Sequence, residues 1–467
     1  LTASDGTGMN LALGFYTLRK LVKGEHTTAL GNYAGYYATG SYNTFVGHEA
    51  GKGGTTSAPF SSGENNVAVG YQALTGFTTG HSNVAVGKEA GKNVTDSNNG
   101  VYVGTGAGKS TTGAPNCVII GVNAGLNATG TRTIAIGNNA LGTGTGGVYP
   151  IAIGMQSLQN TTGNYNIGIG YTAGRENTSG DENVLIGKDA GQNGNLNSNV
   201  YIGARAGKGV SGNNNSSNVG VGYSALTGVT TGGSNVVIGT LAGIAVSEGE
   251  KNILIGRDAG KDISTGDSNV AIGHQALYVE NTGTYAVAIG YRSGYKNRLS
   301  AQNENVFIGS NAGRENVDGN DNVFIGYNVG YGVDGEGASN SVAIGNHSLF
   351  YAKGNDNIAI GHDAGRYATG SQNTFVGAQA GVGGNTSAPY SSGNSNVAMG
   401  YQALRSFTTG YQNVAIGFEA GEDITTGFYN TLVGYEAGEN LTTGNGNVFM
   451  GREAGAGKVA SIGAIAI

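Results

Sequence analysis

A five-residue pattern recurs along the whole chain: one position that is usually polar, three that are mainly apolar, and a glycine. Typical copies are NTFVG at 43–47, NVAVG at 66–70, NVLIG at 183–187 and NVFMG at 447–451. There are 26 copies, and most intervals between their closing glycines are 16 or 17 residues. β-Branched residues dominate the second and fourth positions, as is typical of a short strand. Because the unit is too short for a helical pair or a propeller blade, we expect each copy to form one turn of an all-β parallel solenoid.

The third motif position is apolar as well. It holds alanine in many copies and an aromatic residue in others, among them Phe307, Phe324, Phe375 and Phe449. Successive side chains of a strand point to opposite faces, so both faces are expected to be buried. In a single chain the third position would then face water, and a long apolar stripe is typical of an association site. We therefore predict that these four phenylalanines face partner chains.

A second segment follows each motif glycine. It has two variable residues, then usually alanine, then leucine or glycine, as in YQAL at 71–74 and KEAG at 88–91. This pattern predicts a second short strand whose alanine packs inside. A polar stretch, often Thr-Thr-Gly as at 78–80, then leads to the next copy, and its glycine suits a turn that needs positive φ.

Asparagine occupies the first motif position in 19 of the 26 copies. Equivalent residues of stacked turns lie about 4.8 Å apart, where side-chain amides can hydrogen-bond along the stack. We therefore predict a structural asparagine ladder rather than a ligand site. Its representative members are Asn43, Asn66, Asn83, Asn183, Asn269 and Asn413.

Longer-range features concern the organisation of the array. Residues 357–421 closely repeat residues 27–91, and each block contains one interval of 23 residues between motif glycines. We expect the extra residues to form loop insertions near 52–62 and 382–392. The chain ends in AIAI at 464–467, the four residues before an expected motif glycine. Residues 1–467 are therefore predicted to be a single continuous array cut from a longer chain.

Composition narrows the possible classes of protein. The 467 residues include 89 glycines, 4 prolines and 1 cysteine, with a net charge of −6. Collagen requires glycine at every third position and abundant proline, and one cysteine cannot form an internal disulfide. The acidic balance gives no basic footprint for nucleic acid. No apolar run approaches the roughly 20 residues that cross a bilayer, so no membrane insertion by this segment is predicted.

No catalytic, cofactor or metal site is predicted from the ionisable residues. The six histidines are scattered, and only His347 and His362 fall in consecutive copies. Weak surface binding of a cation remains open at aspartates in the turns before motif strands, namely Asp181, Asp267, Asp321 and Asp356.

One column of carboxylates recurs two residues after the motif glycine. Its members in successive copies are Glu419, Glu436 and Glu453. We interpret this column as a solvated face. The alternatives are salt bridges between chains and, because paired carboxylates can cleave glycosidic bonds, glycan hydrolysis.

Several copies resemble a known family of repeats. SVAIG at 341–345, NVAIG at 269–273 and 413–417, and TIAIG at 133–137 resemble the head repeats of YadA-type trimeric autotransporter adhesins. The longer unit NVAVGYQALTGFTTGHSN at 66–83 is similar to arrays in phage tail fibres and in surface proteins that end in an endosialidase-type chaperone. The resemblance covers nearly the whole chain, although the period is longer than the autotransporter unit. It implies a left-handed parallel β-roll with three chains packed side by side.

The resemblance also implies a role. We expect a structural and adhesive fibre segment, a homotrimer without enzymatic activity, that presents a binding surface to a cell-surface receptor or glycan. It would be extracellular, on a cell surface or in a virion tail fibre. A glycan-degrading tail spike and an ice-binding solenoid are the alternatives.

Overall fold

The structure is a computed structural model that describes residues 8–145, 147–210, 212–298, 304–333, 336–351, 353–387 and 390–467. It is an all-β parallel solenoid of about 26 turns, and the described residues contain no helix. The chain divides into two compact units, Leu1–Gly233 and Ser234–Ile467. Each unit is a run of parallel turns, and the single continuous array stays a prediction.

Each turn contributes one strand, of three residues in every case but the last. The strands of the first unit are β1 Leu11–Leu13, β2 Thr28–Leu30, β3 Thr44–Val46, β4 Val67–Val69, β5 Val84–Val86, β6 Val101–Val103, β7 Val118–Ile120, β8 Ile134–Ile136, β9 Ile151–Ile153, β10 Ile167–Ile169, β11 Val184–Ile186, β12 Val200–Ile202 and β13 Val219–Val221. The strands of the second unit are β14 Val236–Ile238, β15 Ile253–Ile255, β16 Val270–Ile272, β17 Val287–Ile289, β18 Val306–Ile308, β19 Val323–Ile325, β20 Val342–Ile344, β21 Ile358–Ile360, β22 Thr374–Val376, β23 Val397–Met399, β24 Val414–Ile416, β25 Thr431–Val433, β26 Val448–Met450 and β27 Ile465–Ala466.

Within each unit, every strand pairs in parallel with the next strand of the chain. In β5 and β6, for example, Ala85 lies opposite Tyr102, and the residues on either side are paired in the same register. Equivalent motif positions therefore form columns along the sheet. The predicted parallel solenoid is confirmed, and each column can be treated as one structural position.

The motif glycine column shows why only glycine fits there. Gly87 has φ of +135°, and a Cβ atom at this position would lie 2.6 Å from the carbonyl oxygen of Gly104 in the next turn. Side chains are strained at this φ, and that distance is far below van der Waals contact. Any side chain would therefore push adjacent turns apart.

The orientation of the strands differs from the prediction. The third position points into the chain's own core, where Phe307, Phe324, Phe375 and Phe449 are each 0% exposed. The second and fourth positions point outward and are half-buried or exposed, so only one face of each strand is buried within the chain. The assignment of these four phenylalanines as trimer-facing residues is therefore wrong, because the chain's own interior already encloses them.

Two columns share the space inside each turn: the third motif position and the position four residues after the motif glycine. A Cβ atom added to Gly381, four residues after its motif glycine, would lie 2.2 Å from the Phe375 ring of the same turn. Leucine replaces this glycine only in turns whose third position is alanine or glycine, as in the pair Ala68 and Leu74. A large strand residue and leucine therefore never share a turn, which avoids overpacking the core. Six turns combine a small strand residue with glycine, as in Ala85 and Gly91.

The predicted second strand is absent from the described turns. Residues 71–76 form a run of turns, in which Gln72 and Leu74 have φ of 55° and 47°. These left-handed conformations are incompatible with an extended strand. The segment nevertheless bonds to neighbouring turns, since the Leu74 amide donates to the Ala90 carbonyl at 3.0 Å. As predicted, the alanine of this segment, Ala73, is fully buried.

The first insertion near 52–62 contains no strand, and its tip at 56–59 is exposed. Phe60 returns to stack on Tyr37, with ring centroids 5.9 Å apart. In the second insertion, near 382–392, residues 388 and 389 lie outside the described part of the chain. Tyr390 takes the position of Phe60 and lies 4.3 Å from the Tyr351 ring.

Candidate functional site

The asparagine ladder is present, and its six representative members are fully buried. The Asn66 side-chain oxygen accepts the backbone N–H of Asn83 at 3.0 Å and the Asn83 side-chain amide at 3.1 Å. The Asn83 amide also donates to the Ser97 carbonyl at 2.8 Å, in the next turn. These bonds satisfy backbone groups that would otherwise be buried without partners, and that is a structural role.

The same contact recurs at the other predicted ladder positions. A side-chain oxygen one turn earlier accepts the backbone N–H of Asn183, Asn269 and Asn413, and the Asn43 oxygen accepts that of Asn66. A residue that replaces asparagine still donates its backbone N–H where the preceding turn has asparagine, as Gly100 does to Asn83 at 2.9 Å. The ladder thus tolerates interruption.

The candidate interaction surface is the outer face of the strands. We call it the outer face and define it as the second and fourth motif positions. In every copy these positions hold Val, Ile, Leu, Met or Thr, and no charged residue occurs there. Several remain considerably exposed, including Val86 at 38%, Ile344 at 37% and Ile360 at 38%. Faces of parallel sheets are normally covered on both sides, so this mainly aliphatic, uncharged face is the feature that most needs a partner.

The carboxylate column lies on the surface of the second unit. Side-chain oxygens of Glu419, Glu422 and Glu439 lie within 4.8 Å of one another. Partial burial, followed by repulsion from Glu422 and Glu436, raises the pKa of Glu419. Glu439 has a raised pKa for the same kinds of reason. The group can attract a cation or share a proton.

Two arginines beside this column form surface ion pairs. Arg405 lies 3.1 Å from Glu422 and Arg452 lies 3.0 Å from Glu453. Both pairs lie within one chain. They fit the interpretation of a solvated face, in which such pairs contribute little to stability.

One cluster was missed by reasoning from the sequence. The Nδ1 atoms of His347 and His362 lie 3.8 and 3.5 Å from the two carboxylate oxygens of Asp363, which is only 8% exposed. Burial and then the charge of Arg366 lower the pKa of His347. The signal was available, because His347 and Asp363 occupy the same motif position in successive turns.

Two of the four turn aspartates accept hydrogen bonds from backbone N–H groups. Asp181 accepts the N–H of Asn164 at 2.6 Å, and Asp267 accepts the N–H of Glu250 at 2.7 Å. Among the described residues, Asp181, Asp267, Asp321 and Asp356 belong to neither group of close metal-ligating side chains, one around Asp363 and the other around Glu419. Weak cation binding at these four aspartates has no structural support.

Cys117 is a buried core residue. Its sulfur lies 3.2 Å from the hydroxyl of Tyr102, and burial raises the pKa of the thiol. The side chain therefore fills space in the core.

Comparison with known proteins does not assign this chain to a family. No family model matches it, and no curated protein is significantly similar to it. Within the described ranges, the chain has no helix that is long and apolar enough to cross a membrane.

Proposed function

We propose that this chain is a structural and adhesive segment of an extracellular fibre, of the kind found in bacterial surface adhesins and phage tail fibres. It has no enzymatic role in this proposal. The observation that carries it is the outer face, which is uncharged and mainly aliphatic in every turn and is half-buried or exposed in the single chain. The expected partner is a second copy of the same chain, because a copy has the same spacing and matches every turn with an equal turn.

The free energy expected from covering the outer face supports association between copies of the chain. Fully burying a Val or Ile side chain stabilises by about 1.5–3 kcal/mol, so covering a third of one contributes roughly 0.5–1 kcal/mol. Each turn offers two such residues. Ten turns therefore contribute roughly 10–20 kcal/mol, which is comparable to the roughly 4–15 kcal/mol that association costs, and longer stretches of this face are expected to exceed that cost.

Three copies, each a left-handed roll, are proposed on the strength of the resemblance to YadA-type heads. The outer face replaces the third motif position as the contact between them. A receptor or glycan is then bound by the sides of the fibre that remain exposed, on a cell surface or a virion.

Charged substitutions on the outer face test the proposal. Ile344→Glu with Ile360→Glu places two carboxylates on adjacent strands of this face, and both side chains are exposed enough for the single chain to accept them. Light scattering should show dissociation towards single chains. The matched control, Asn340→Glu with Asn355→Glu, adds the same charge to exposed turns of the same region and should stay associated. Equal molar masses for the two variants would contradict the proposal.

A glycan-degrading spike is the second candidate, supported by the close carboxylates of Glu419, Glu422 and Glu439. Their separation suits retaining hydrolysis, for which the two carboxyl groups lie about 5 Å apart. The raised pKa of Glu419 suits a general acid. Release of reducing ends from a bacterial polysaccharide, lost in Glu419→Gln, would establish this candidate, and absence of release would remove it.

A further inference from the structure

The two blocks related by the longer repeat carry the same insertion but differ beside it. In the second block a cavity of about 470 Å³ lies next to the insertion, lined by residues that include Asp363, Arg366, Tyr367, Gln379 and Arg405. Of the ten lining residues, only the tyrosine, the paired glycines 383 and 384 and one threonine recur in the first block. The two blocks therefore share the tyrosine, the two glycines and the threonine, which we call the frame, but differ in the chemistry of the other lining residues.

In the first block, the corresponding residues pair with one another. Lys52 lies 2.6 Å from Glu49, which also accepts the Gln72 amide at 2.6 Å. Tyr36 and Thr75 stand where the second block has its two arginines. These side chains therefore supply no guanidinium.

The second block replaces that ion pair with Val382 and Gln379, and it adds Arg366 and Arg405. The lysine and its carboxylate are therefore both absent. Two cationic side chains border the cavity instead.

Arg366 is held in place but is incompletely bonded. Its guanidinium lies 5.3 Å from the Tyr367 ring centre, and one terminal nitrogen lies 3.4 Å from Asp363. Its Nε is buried and has no hydrogen-bond partner among the described residues. A buried donor without a partner costs about 1–3 kcal/mol. Because this nitrogen is closed to solvent, a ligand in the cavity would bond to the terminal nitrogens of Arg366.

We propose that this cavity binds a sugar residue that carries a carboxylate. Guanidinium groups bind carboxylates through paired, charge-assisted hydrogen bonds, and Arg405 keeps further donors beyond its contact with Glu422. Asp363, Gln379 and Thr386 are suited to the hydroxyl groups of a sugar, and the Tyr367 ring offers an apolar surface. The volume lies within the usual range of ligand pockets, roughly 300–1,000 Å³. The assignment rests on the proposed function, since it names the receptor chemistry of the fibre.

The test uses the full chain, with a trigalacturonate as probe and the neutral galactose trimer for comparison. Titration calorimetry should detect binding of the acidic trimer and at least tenfold weaker binding of the neutral one. Arg366→Tyr with Arg405→Thr should weaken acidic binding at least tenfold. These substitutions copy the first block, where the same frame already carries them, so misfolding is not expected to explain a loss.

The reverse exchange provides a gain of binding. Tyr36→Arg, Glu49→Gln, Lys52→Val and Thr75→Arg together should raise the stoichiometry from one to two sugars per chain. The proposal is overturned if the acidic trimer does not bind, if the neutral trimer binds equally, or if the paired arginine variant binds as the wild type does. A tri-aspartate peptide that binds as tightly as the sugar would overturn the assignment of a sugar.

Light scattering on the same samples separates the two proposals. Neither arginine lies on the outer face, so the arginine variant should keep the molar mass of the wild type. If the predicted sugar binding is not found but the chains stay associated, only the proposal that the cavity binds a sugar is refuted. If the wild-type chain is a monomer but still binds the sugar, only the proposal of a fibre is refuted.

Discussion

Replacing Phe375 with alanine tests whether the third motif position belongs to the core of the single chain. The ring is fully buried, and removal of a buried phenylalanine typically costs about 3–5 kcal/mol through lost burial and the cavity that remains. In a solenoid this loss falls on one turn and its neighbours. We expect earlier unfolding in guanidinium and faster hydrogen exchange around β22, with no change in molar mass.

A second substitution in the same turn should restore the packing. Gly381→Leu alone should destabilise, because its Cβ atom would lie 2.2 Å from the Phe375 ring. Combined with Phe375→Ala, it reproduces the alanine and leucine pair of other turns. Leu74 and Leu404 occupy this position with φ of 47° and 50°, close to the 55° of Gly381. The double variant should therefore recover a large part of the lost free energy.

Denaturant unfolding of the four proteins forms a double-mutant cycle. The expected coupling between the two sites is favourable and amounts to about 2 kcal/mol or more, given the size of the cavity that leucine refills. Strictly additive effects would refute the packing argument. A Phe375→Ala protein that keeps its stability but dissociates would restore the original assignment of this residue to a chain interface.

Three further outcomes are expected. Asn83→Ala should lower the free energy of unfolding by about 1–3 kcal/mol, since it leaves buried backbone groups unpaired. The exposed Asn93→Ala should change it little, and equal effects in denaturant melts would contradict the ladder. Hydrogen bonds from Lys109 and Lys92 lower the pKa of Glu89 to about 2 from 4.5. The contribution of the ionised Glu89 to stability is therefore present above pH 4.5 and is lost as the pH falls towards 2. Glu89→Gln should flatten the dependence of stability on pH in this range, and an unchanged pH profile would contradict the role of this carboxylate. Glu439 has a raised pKa, so folding disfavours its ionised form. Glu439→Gln should therefore be more stable than the wild type at pH 7, and the difference should disappear in acid. Thermal melts at both pH values measure this difference, and equal melting temperatures at pH 7 would contradict it.

The repeat itself made much of the fold predictable. The strands, the glycine column and the asparagine ladder each follow from one motif position recurring at a fixed period. Hydrogen bonds between successive turns then place equivalent residues side by side. The ladder at Asn83 could therefore be predicted before any contact was known.

The orientation of the strand could not be predicted in the same way. Alternation establishes that Ala85 and Val86 face opposite sides, but it does not say which side is the interior when both are apolar. The missing signal was the pairing of large strand residues with glycine four positions after the motif glycine, as in Phe375 and Gly381. This exchange of volume within one turn indicates that both side chains share one core.

The surface clusters depended on distances that a linear period hides. His362 and Asp363 are adjacent in sequence, but His347 joins them only because one turn stacks on the next. The unbonded nitrogen of Arg366 likewise depends on how the side chain packs against Tyr367. These features required atomic geometry.

The molar mass of the wild-type chain, measured by light scattering at micromolar concentration, tests the central claim most directly. The account predicts an associated species, three chains in mass, that falls to single chains in Ile344→Glu with Ile360→Glu while each chain stays folded. A stable wild-type chain of 46.8 kDa, with its outer face left in water, would contradict the proposed fibre.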